Sequence, residues 1–307
     1  MVGCVDKQTS GPGEEEVVIP EISKSDKLLP GNKISVLTTA MEFQMPDTIP
    51  SGWNTFIYKN ASPEVHFMIF EKMPEGITIK EYKEELIPPF EEGMAYALEG
   101  NIEKSQQAFK NIPKWWFNVT VGGGTGFISP GKTALTTFKL EPGRYIVECY
   151  VRMANGKPHA MMGMLKEVIV SDAVSKISEP KNPDSEIAVS SEDGFEIIKP
   201  LNSGNNILKV NFKDQKVYEN LLGHDLNLIK MEDGAAVQDL SDWLDATDPK
   251  ALTTPSPEGF MFLGGVNDLP SGAVGYFEVT LQPGNYVLIS EVPGAYEKGL
   301  MKKFTVK

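Results

Sequence analysis

Short runs of alternating apolar and polar residues recur along most of the chain. Segments such as WNTFIYKN, TALTTFKL, RYIVECYV and KEVIV are rich in β-branched and aromatic residues, and Gly, Pro, Asn or Ser separates them. Period-two alternation places successive side chains on opposite faces of a strand. Strands of this length between turn residues are typical of antiparallel sandwiches. The pattern therefore predicts an all-β protein.

Two segments depart from this pattern and carry helical spacing instead. Residues 78–114 are rich in helix formers with apolar positions about every 3.6 residues, interrupted by Pro88 and Pro89. Residues 238–252, QDLSDWLDATDPKAL, have the same character in the second half of the chain. We therefore expect one helical insertion in each half.

The two halves also repeat each other in sequence. Three residues of the first half recur at identical spacing in the second: His66, Met73 and Gly76 recur as His224, Met231 and Gly234. Further on, FKLEPGRYIVEC is echoed by VTLQPGNYVLIS. A repeat of this length indicates duplicated structural units. We predict two tandem Greek-key β-sandwiches, at residues 34–176 and 177–307, after an N-terminal tail at residues 1–33.

Charge narrows the choice of partners. The 307 residues carry a formal net charge of −13 without a lysine or arginine cluster. This balance argues against nucleic acid and anionic membrane surfaces as partners and is compatible with a basic protein partner. No apolar run is long enough to span a bilayer.

The N-terminus MVGCVDKQTS is followed by a polar stretch rich in glycine and glutamate. This start resembles a mature bacterial lipoprotein in which Cys4 carries the lipid, and an ordinary unstructured tail is the alternative. The first interpretation predicts an extracytoplasmic protein, periplasmic or on the outer surface of a bacterium. Its contact with the membrane would be limited to a lipid anchor at Cys4.

The stretch CYVRMANGKPHAMMGM concentrates scarce residues, because the chain has only two cysteines and three histidines. Alternation puts Cys149 on the inner face of its strand, with His159 and Met164 shortly after it, and it puts His66 on the inner face of another strand. Two imidazoles, a thiolate and a thioether are the donors of a blue-copper site. Zinc could use the same cysteine and histidines, but it gains nothing from Met164.

These residues resemble the cupredoxin family, over roughly residues 34–171. Cupredoxins show an asparagine six positions before the first histidine ligand, which here is NASPEVH, Asn60 to His66. They then show a cysteine, a variable loop, a histidine and a methionine. The resemblance implies one copper ion, with His66, Cys149 and His159 as strong ligands and Met164 as the axial one. It is closest to secreted two-domain bacterial members, and the long loop is similar to that of copper nitrite reductases.

The resemblance has one departure near the site and one in the second half. The residue after the first histidine is commonly asparagine in the electron carriers, whereas here it is Phe67. In the second half, Ser290 aligns with Cys149, and Gly299-Leu300 replaces the Gly-Met pair. The second repeat is therefore predicted to lack the ligand set and to bind no metal.

Two functional hypotheses follow. In the first, the chain is an extracytoplasmic copper protein that transfers single electrons or carries copper, with a redox or copper-exchange protein as its partner. In the second, it is a metal-free binding module of the cell surface. Three histidines are too few for a trinuclear or type 2 copper centre in addition to this site, and no catalytic motif is present. We therefore expect the protein not to be an enzyme.

Overall fold

The computed structural model describes residues 32–176, 178–218 and 222–307. The predicted tail at residues 1–33 lies almost entirely outside this part of the chain, and so does Cys4. The lipoprotein anchor and the domain boundaries therefore stay predictions. Among the helices that the structure describes, none combines the length and the apolar character needed to cross a membrane.

Strands form most of both halves, as the alternating pattern predicts. The first half contains β1 (Asn32–Thr38), β2 (Thr48–Asn60), β3 (His66–Lys72), β4 (Thr120–Ile128), β5 (Thr133–Leu140), β6 (Gly143–Glu148) and β7 (Leu165–Val174). The second half contains β8 (Ser185–Ser190), β9 (Gly194–Lys199), β10 (Gly204–Phe212), β11 (Leu226–Met231), β12 (Phe260–Asn267), β13 (Val274–Leu281), β14 (Gly284–Ile289) and β15 (Met301–Val306).

The strands form two layers, and each layer runs through both halves. One layer has the order β1, β2, β5, β13, β10, β8, β9, and the other has the order β7, β6, β3, β4, β12, β11, β14, β15. The two layers are joined at one edge of the first half, because the beginning of β2 pairs in parallel with β7. Strand β5 pairs with β13 in the first layer, and β4 pairs with β12 in the second. Each half is thus a two-layer sandwich, as predicted. The edge-to-edge joining of the two halves in both layers was not anticipated from the sequence.

Aromatic side chains fill the space between the layers of the first half. Phe56 of β2 lies with its ring centroid 5.0 Å from that of Phe70 of β3 and 4.8 Å from that of Phe138 of β5. All three residues are fully buried. Burying an aromatic side chain of this size contributes roughly 1.5–3 kcal/mol to folding. The alternating pattern therefore specifies the core that supports the functional residues.

The repeat is also visible in backbone packing. A Cβ atom added to Gly124 of β4 would lie 1.9 Å from the carbonyl oxygen of Met68, and one added to Gly265 of β12 would lie 1.9 Å from that of Leu226. Only glycine allows strands to approach this closely. The same contact in both halves makes β3 equivalent to β11 and β4 equivalent to β12.

Both predicted helical insertions are present. The first contains α1 (Ile79–Glu81), a π-helical turn (Tyr82–Leu86), α2 (Ile87–Leu98) and α3 (Ile102–Phe109). Pro88 and Pro89 lie in the first turn of α2, where a missing backbone N–H costs little, so they begin a helix rather than end one. The second insertion forms only α4 (Val237–Leu244), and turns follow it.

The first insertion packs onto the strand that leads to Cys149. The hydroxyl of Tyr82, in the π-helical turn, donates a hydrogen bond of 2.8 Å to the carboxyl of Glu148, the last residue of β6. Both residues are buried. Burial raises the pKa of Glu148 to about 7. The insertion therefore covers the outer face of β6 immediately before the cysteine.

Candidate metal centre

Three separate elements bring the predicted ligands together. His66 is the first residue of β3, Cys149 directly follows β6, and His159 opens a 3₁₀ turn, His159–Met162. Strands β3 and β6 are antiparallel neighbours, so the start of one lies beside the end of the other. The loop after Cys149 folds back, because the amide of His159 donates to the carbonyl oxygen of Val151 at 2.7 Å.

The ligand atoms of these residues form a compact triangle. Cys149 Sγ lies 3.7 Å from His66 Nδ1 and 3.9 Å from His159 Nδ1, and the two Nδ1 atoms are 3.1 Å apart. The point in their plane that is equally distant from all three atoms is about 2.1 Å from each, which matches metal–nitrogen distances of about 2.0–2.1 Å and approaches metal–sulfur distances of about 2.3 Å. The three side chains therefore fit one metal ion without rearrangement.

Burial sets the protonation of the three candidate ligands. All three residues have no exposed surface. Burial, and next the neighbouring His159, lowers the pKa of His66 to about 3, and burial lowers the pKa of His159 to about 4. Burial also raises the pKa of the Cys149 thiol to about 12. In the metal-free protein at neutral pH the imidazoles are therefore neutral and the thiol is protonated.

Backbone amides support the sulfur of Cys149. The amides of Phe67 and Val151 donate hydrogen bonds to it, which favours the thiolate form. Phe67 replaces the asparagine that many electron carriers have after the first histidine, yet its backbone still contacts the cysteine. Its ring packs against Tyr150, with centroids 4.5 Å apart. Although the side chain at position 67 differs from the usual asparagine, the sulfur still accepts hydrogen bonds from two backbone amides.

The asparagine that the sequence singled out before His66 holds the loop leading to it. Asn60 is fully buried, and its side-chain amide donates to the carbonyl oxygens of Glu64 at 2.7 Å and Ile128 at 2.9 Å. Its side-chain oxygen accepts from the hydroxyl of Ser62 at 2.8 Å. These bonds fix the conformation of residues 60–66 and therefore the position of His66.

The outer nitrogens of the two histidines have different surroundings. Nε2 of His159 lies 3.0 Å from the carboxylate oxygen Oε2 of Glu64, an electrostatic contact whose geometry is not that of a hydrogen bond. Nε2 of His66 is buried without a hydrogen-bond partner among the described residues. The carboxylate favours the tautomer of His159 with its hydrogen on Nε2, which leaves Nδ1 free to bind a metal. Glu64 was not singled out from the sequence, although it stands only two positions before His66.

The predicted axial ligand lies in the same region. Met164 is fully buried, and its amide donates to the carbonyl oxygen of His159 at 3.0 Å. It follows Gly163, which ends the 3₁₀ turn in the left-handed region at φ 112°. Its role as thioether ligand stays a prediction. Of the neighbouring methionines, Met161 is half-buried and Met162 is 46% exposed.

Among the described residues of the second half, no equivalent cluster is present. His224 and Ser290 occupy the positions equivalent to His66 and Cys149, because Ile69 pairs with Glu148 in the first half and Asn227 pairs with Ile289 in the second. The hydroxyl of Ser290 donates to a carboxylate oxygen of Asp225 at 2.6 Å. Within the described residues, no other group of three histidine, cysteine or acidic side chains brings its ligand atoms as close together.

Comparisons with known proteins are consistent with this fold. No family model and no curated protein matches the sequence. Among solved structures, the reduced auracyanin of Roseiflexus castenholzii is 18% identical, with 46% of this chain and 98% of that one covered and a TM-score of 0.28. A multicopper oxidase is 12% identical, with 90% and 88% covered and a TM-score of 0.22. The copper nitrite reductase of Nitrosomonas europaea is 12% identical, with 90% and 93% covered and a TM-score of 0.22.

The tandem β-sandwiches predicted from the sequence are confirmed by the strand pairing, and the His66, Cys149 and His159 cluster lies in the first half. At these identities and TM-scores, the likenesses assign no activity to this chain.

The prediction that the chain is not an enzyme is wrong. The structures that align with 90% of its length include a multicopper oxidase and copper nitrite reductases, which are enzymes. The histidine count speaks only against particular copper centres within one chain, and it does not decide whether a chain of this fold has an activity.

Proposed function

We propose that the protein binds one copper ion through His66, Cys149 and His159, with Met164 as axial ligand, and that it transfers single electrons. The observation that supports this proposal most strongly is the triangle of two Nδ1 atoms and one Sγ atom around a point about 2.1 Å from each. Copper bound at these residues would supply the Cu(II)/Cu(I) couple and so exchange one electron per cycle.

The donor set suits both oxidation states of copper. Sulfur ligands favour Cu(I), whereas imidazole suits Cu(II). The protein holds these donors rigidly, because the amides of Phe67 and Val151 fix the sulfur and Asn60 fixes the loop before His66. A site that changes little between the two states keeps the reorganisation during electron transfer small.

Burial favours electron transfer over copper carriage, the second role considered for this site. The three ligands have no exposed surface, and a copper carrier has to release its ion to a partner. The metal-free binding module is less well supported. It gives no role to a fully buried cluster of two imidazoles and one thiol whose ligand atoms all lie within 4.8 Å of one another.

The proposed setting is outside the cytoplasm, with a redox protein as partner. This part of the proposal is supported by the sequence alone, through the lipoprotein-like start at Cys4 and the resemblance to secreted cupredoxin-like proteins. The net charge of −13 favours a partner with a basic docking surface.

Two rates distinguish electron transfer from copper carriage: the rate of one-electron cycling and the rate of copper loss to a chelator. An electron carrier cycles faster than it loses copper, and a copper carrier does the reverse. The copper-loaded protein is reduced by one electron equivalent from a soluble mediator, reoxidised, and then challenged in its reduced form with a Cu(I) chelator. We expect reversible one-electron cycling within seconds and copper loss that is slower by orders of magnitude, because the ligands are buried. The double variant Met161→Leu, Met162→Leu serves as a comparison. Rapid copper loss from the wild type, slowed in this variant, would favour carriage instead.

A further inference from the structure

We infer that the second half, which lacks the ligands, positions the copper ligands of the first half. The structural element responsible is the segment of residues 246–254 that follows α4, which we name the clamp segment. This inference deepens the proposed function and rests on it. Two independent sets of contacts connect the clamp segment to the ligand residues.

The first set holds Arg152, in the loop between Cys149 and His159. Arg152 is only 7% exposed, and its guanidinium lies among backbone carbonyl oxygens of the clamp segment. It donates to those of Asp248 at 2.6 Å, Ala251 at 2.8 Å and Ala246 at 3.2 Å. A planar guanidinium can bind several acceptors at once in a fixed orientation, which the point charge of a lysine cannot.

The backbone of Arg152 is bound to the same segment. Its amide donates to the carbonyl oxygen of Leu252 at 2.8 Å, and its carbonyl oxygen accepts from the amide of Thr254 at 2.8 Å. Leu252 is fully buried and has a φ of 54°, in the left-handed region that is unfavourable for a leucine. Such a conformation persists only where the surroundings enforce it. The clamp segment is therefore held in one specific conformation against the loop.

The loop transmits this restraint to both ligands at its ends. Arg152 forms a β-bridge with Pro158, the residue before His159. The amide of Ala160 donates to the carbonyl oxygen of Cys149 at 2.9 Å. Residues 149–160 thus form a closed hairpin-like loop, and Arg152 anchors one side of it in the second half. Displacement of Arg152 would change the separation of Cys149 from His159.

The second set of contacts reaches His159 through Glu64. The hydroxyl of Thr254 donates to Oε1 of Glu64 at 3.3 Å, and Oε2 of the same carboxylate lies 3.0 Å from His159 Nε2. The clamp segment thus contacts the carboxylate that orients a ligand, as well as the loop that carries two ligands. Outer groups of this kind fix the orientation of a metal-binding histidine.

The main test compares the only two arginines of the chain. All proteins carry Cys4→Ser, so that Cys149 is the only thiol. Arg152→Met and Arg152→Lys are compared with the control Arg144→Met, since Arg144 lies at the other end of β6 and pairs with Glu167. Two quantities are measured: the rate at which iodoacetamide alkylates Cys149 in the metal-free protein, and the Cu(II) affinity by chelator competition.

We expect Arg152→Met to accelerate alkylation at least about tenfold, because the loop that covers the thiol opens more often. Its copper affinity should fall about 10–100-fold, as for other outer partners of metal ligands. Arg152→Lys should change the alkylation rate and the copper affinity less than Arg152→Met does. The control Arg144→Met should change neither by more than about twofold, as for surface substitutions away from special features.

A second pair of variants decides the outcome if Arg152→Met does not fold. Thr254→Val removes the hydroxyl that contacts Glu64, whereas Thr253→Val removes one that donates to the carbonyl oxygen of Lys250 at the surface. We expect only Thr254→Val to lower copper affinity and shift the reduction potential. An alkylation rate and a copper affinity unchanged in Arg152→Met, or, if that variant does not fold, an affinity unchanged in Thr254→Val, would overturn the inference. Absence of copper binding by the wild type would refute the proposed function, while the alkylation rates would still decide the role of the clamp segment.

Discussion

Replacing Cys149 with serine is expected to abolish the visible thiolate-to-copper absorption band and to lower copper affinity by more than about 100-fold, since even the loss of an outer partner costs up to that much. The reason is chemical, because a serine hydroxyl is a hard donor that stays protonated at neutral pH, whereas a cysteine thiolate is soft. The measurement is a Cu(II) titration followed by absorption and by chelator competition.

The fold should tolerate this substitution. In the second half, Ser290 already occupies the equivalent buried position, where its hydroxyl donates to Asp225. In the first half the smaller serine side chain fits the same buried position, and the amides of Phe67 and Val151 that donate to the sulfur are the nearest partners for its oxygen. The metal-free melting temperature should therefore change little. Cys4→Ser is the matched control and should keep the band, and a band that persists in Cys149→Ser would exclude the thiolate as ligand.

Copper affinity should rise tenfold for each pH unit, or about 1,000-fold between pH 5 and pH 8, because binding releases one proton. The pKa of the Cys149 thiol lies at about 12 in the metal-free protein, so the thiol is protonated throughout this range and has to lose its proton to bind copper. The pKa values of His66 and His159, at about 3 and about 4, leave both imidazoles already neutral. Neither histidine therefore contributes to the slope.

The change in the logarithm of copper affinity per pH unit is measured by competition with a chelator whose own proton dependence is known. A buffered series between pH 5 and pH 8 separates three outcomes. A slope of one proton agrees with the site as described. Affinity that does not depend on pH would contradict the release of a thiol proton on binding, and so would contradict a protonated Cys149 that becomes the thiolate ligand. A slope near two would mean that one of the imidazoles is charged in the metal-free protein.

The candidate ligands could be singled out from the sequence because their signals are local. Period-two alternation placed Cys149 at the end of an inner strand. One short spacing relates Cys149 to His159, and another relates Asn60 to His66. The structure brings His66, Cys149 and His159 together, as the spacing indicated. Local patterns are informative here because antiparallel neighbours such as β3 and β6 bring the beginning of one strand beside the end of the other.

The surroundings of the site could not be predicted in the same way. Arg152 and Glu64 are charged residues that a sequence pattern assigns to the surface. Their positions depend on residues about a hundred or more positions away, in the clamp segment. The pairing of β5 with β13 and of β4 with β12 likewise joins strands from different repeats. An internal repeat reveals that two units exist, but it carries no information about which edges meet.

The central claim is that the triangle of His66, Cys149 and His159 binds copper, and titration of the metal-free 307-residue protein with Cu(II) tests it most directly. The account predicts that a strong visible thiolate-to-copper band grows linearly and saturates at one copper ion per chain, with narrow copper hyperfine splitting in the electron paramagnetic resonance spectrum. A titration that gives no such band while the protein remains folded would contradict the claim.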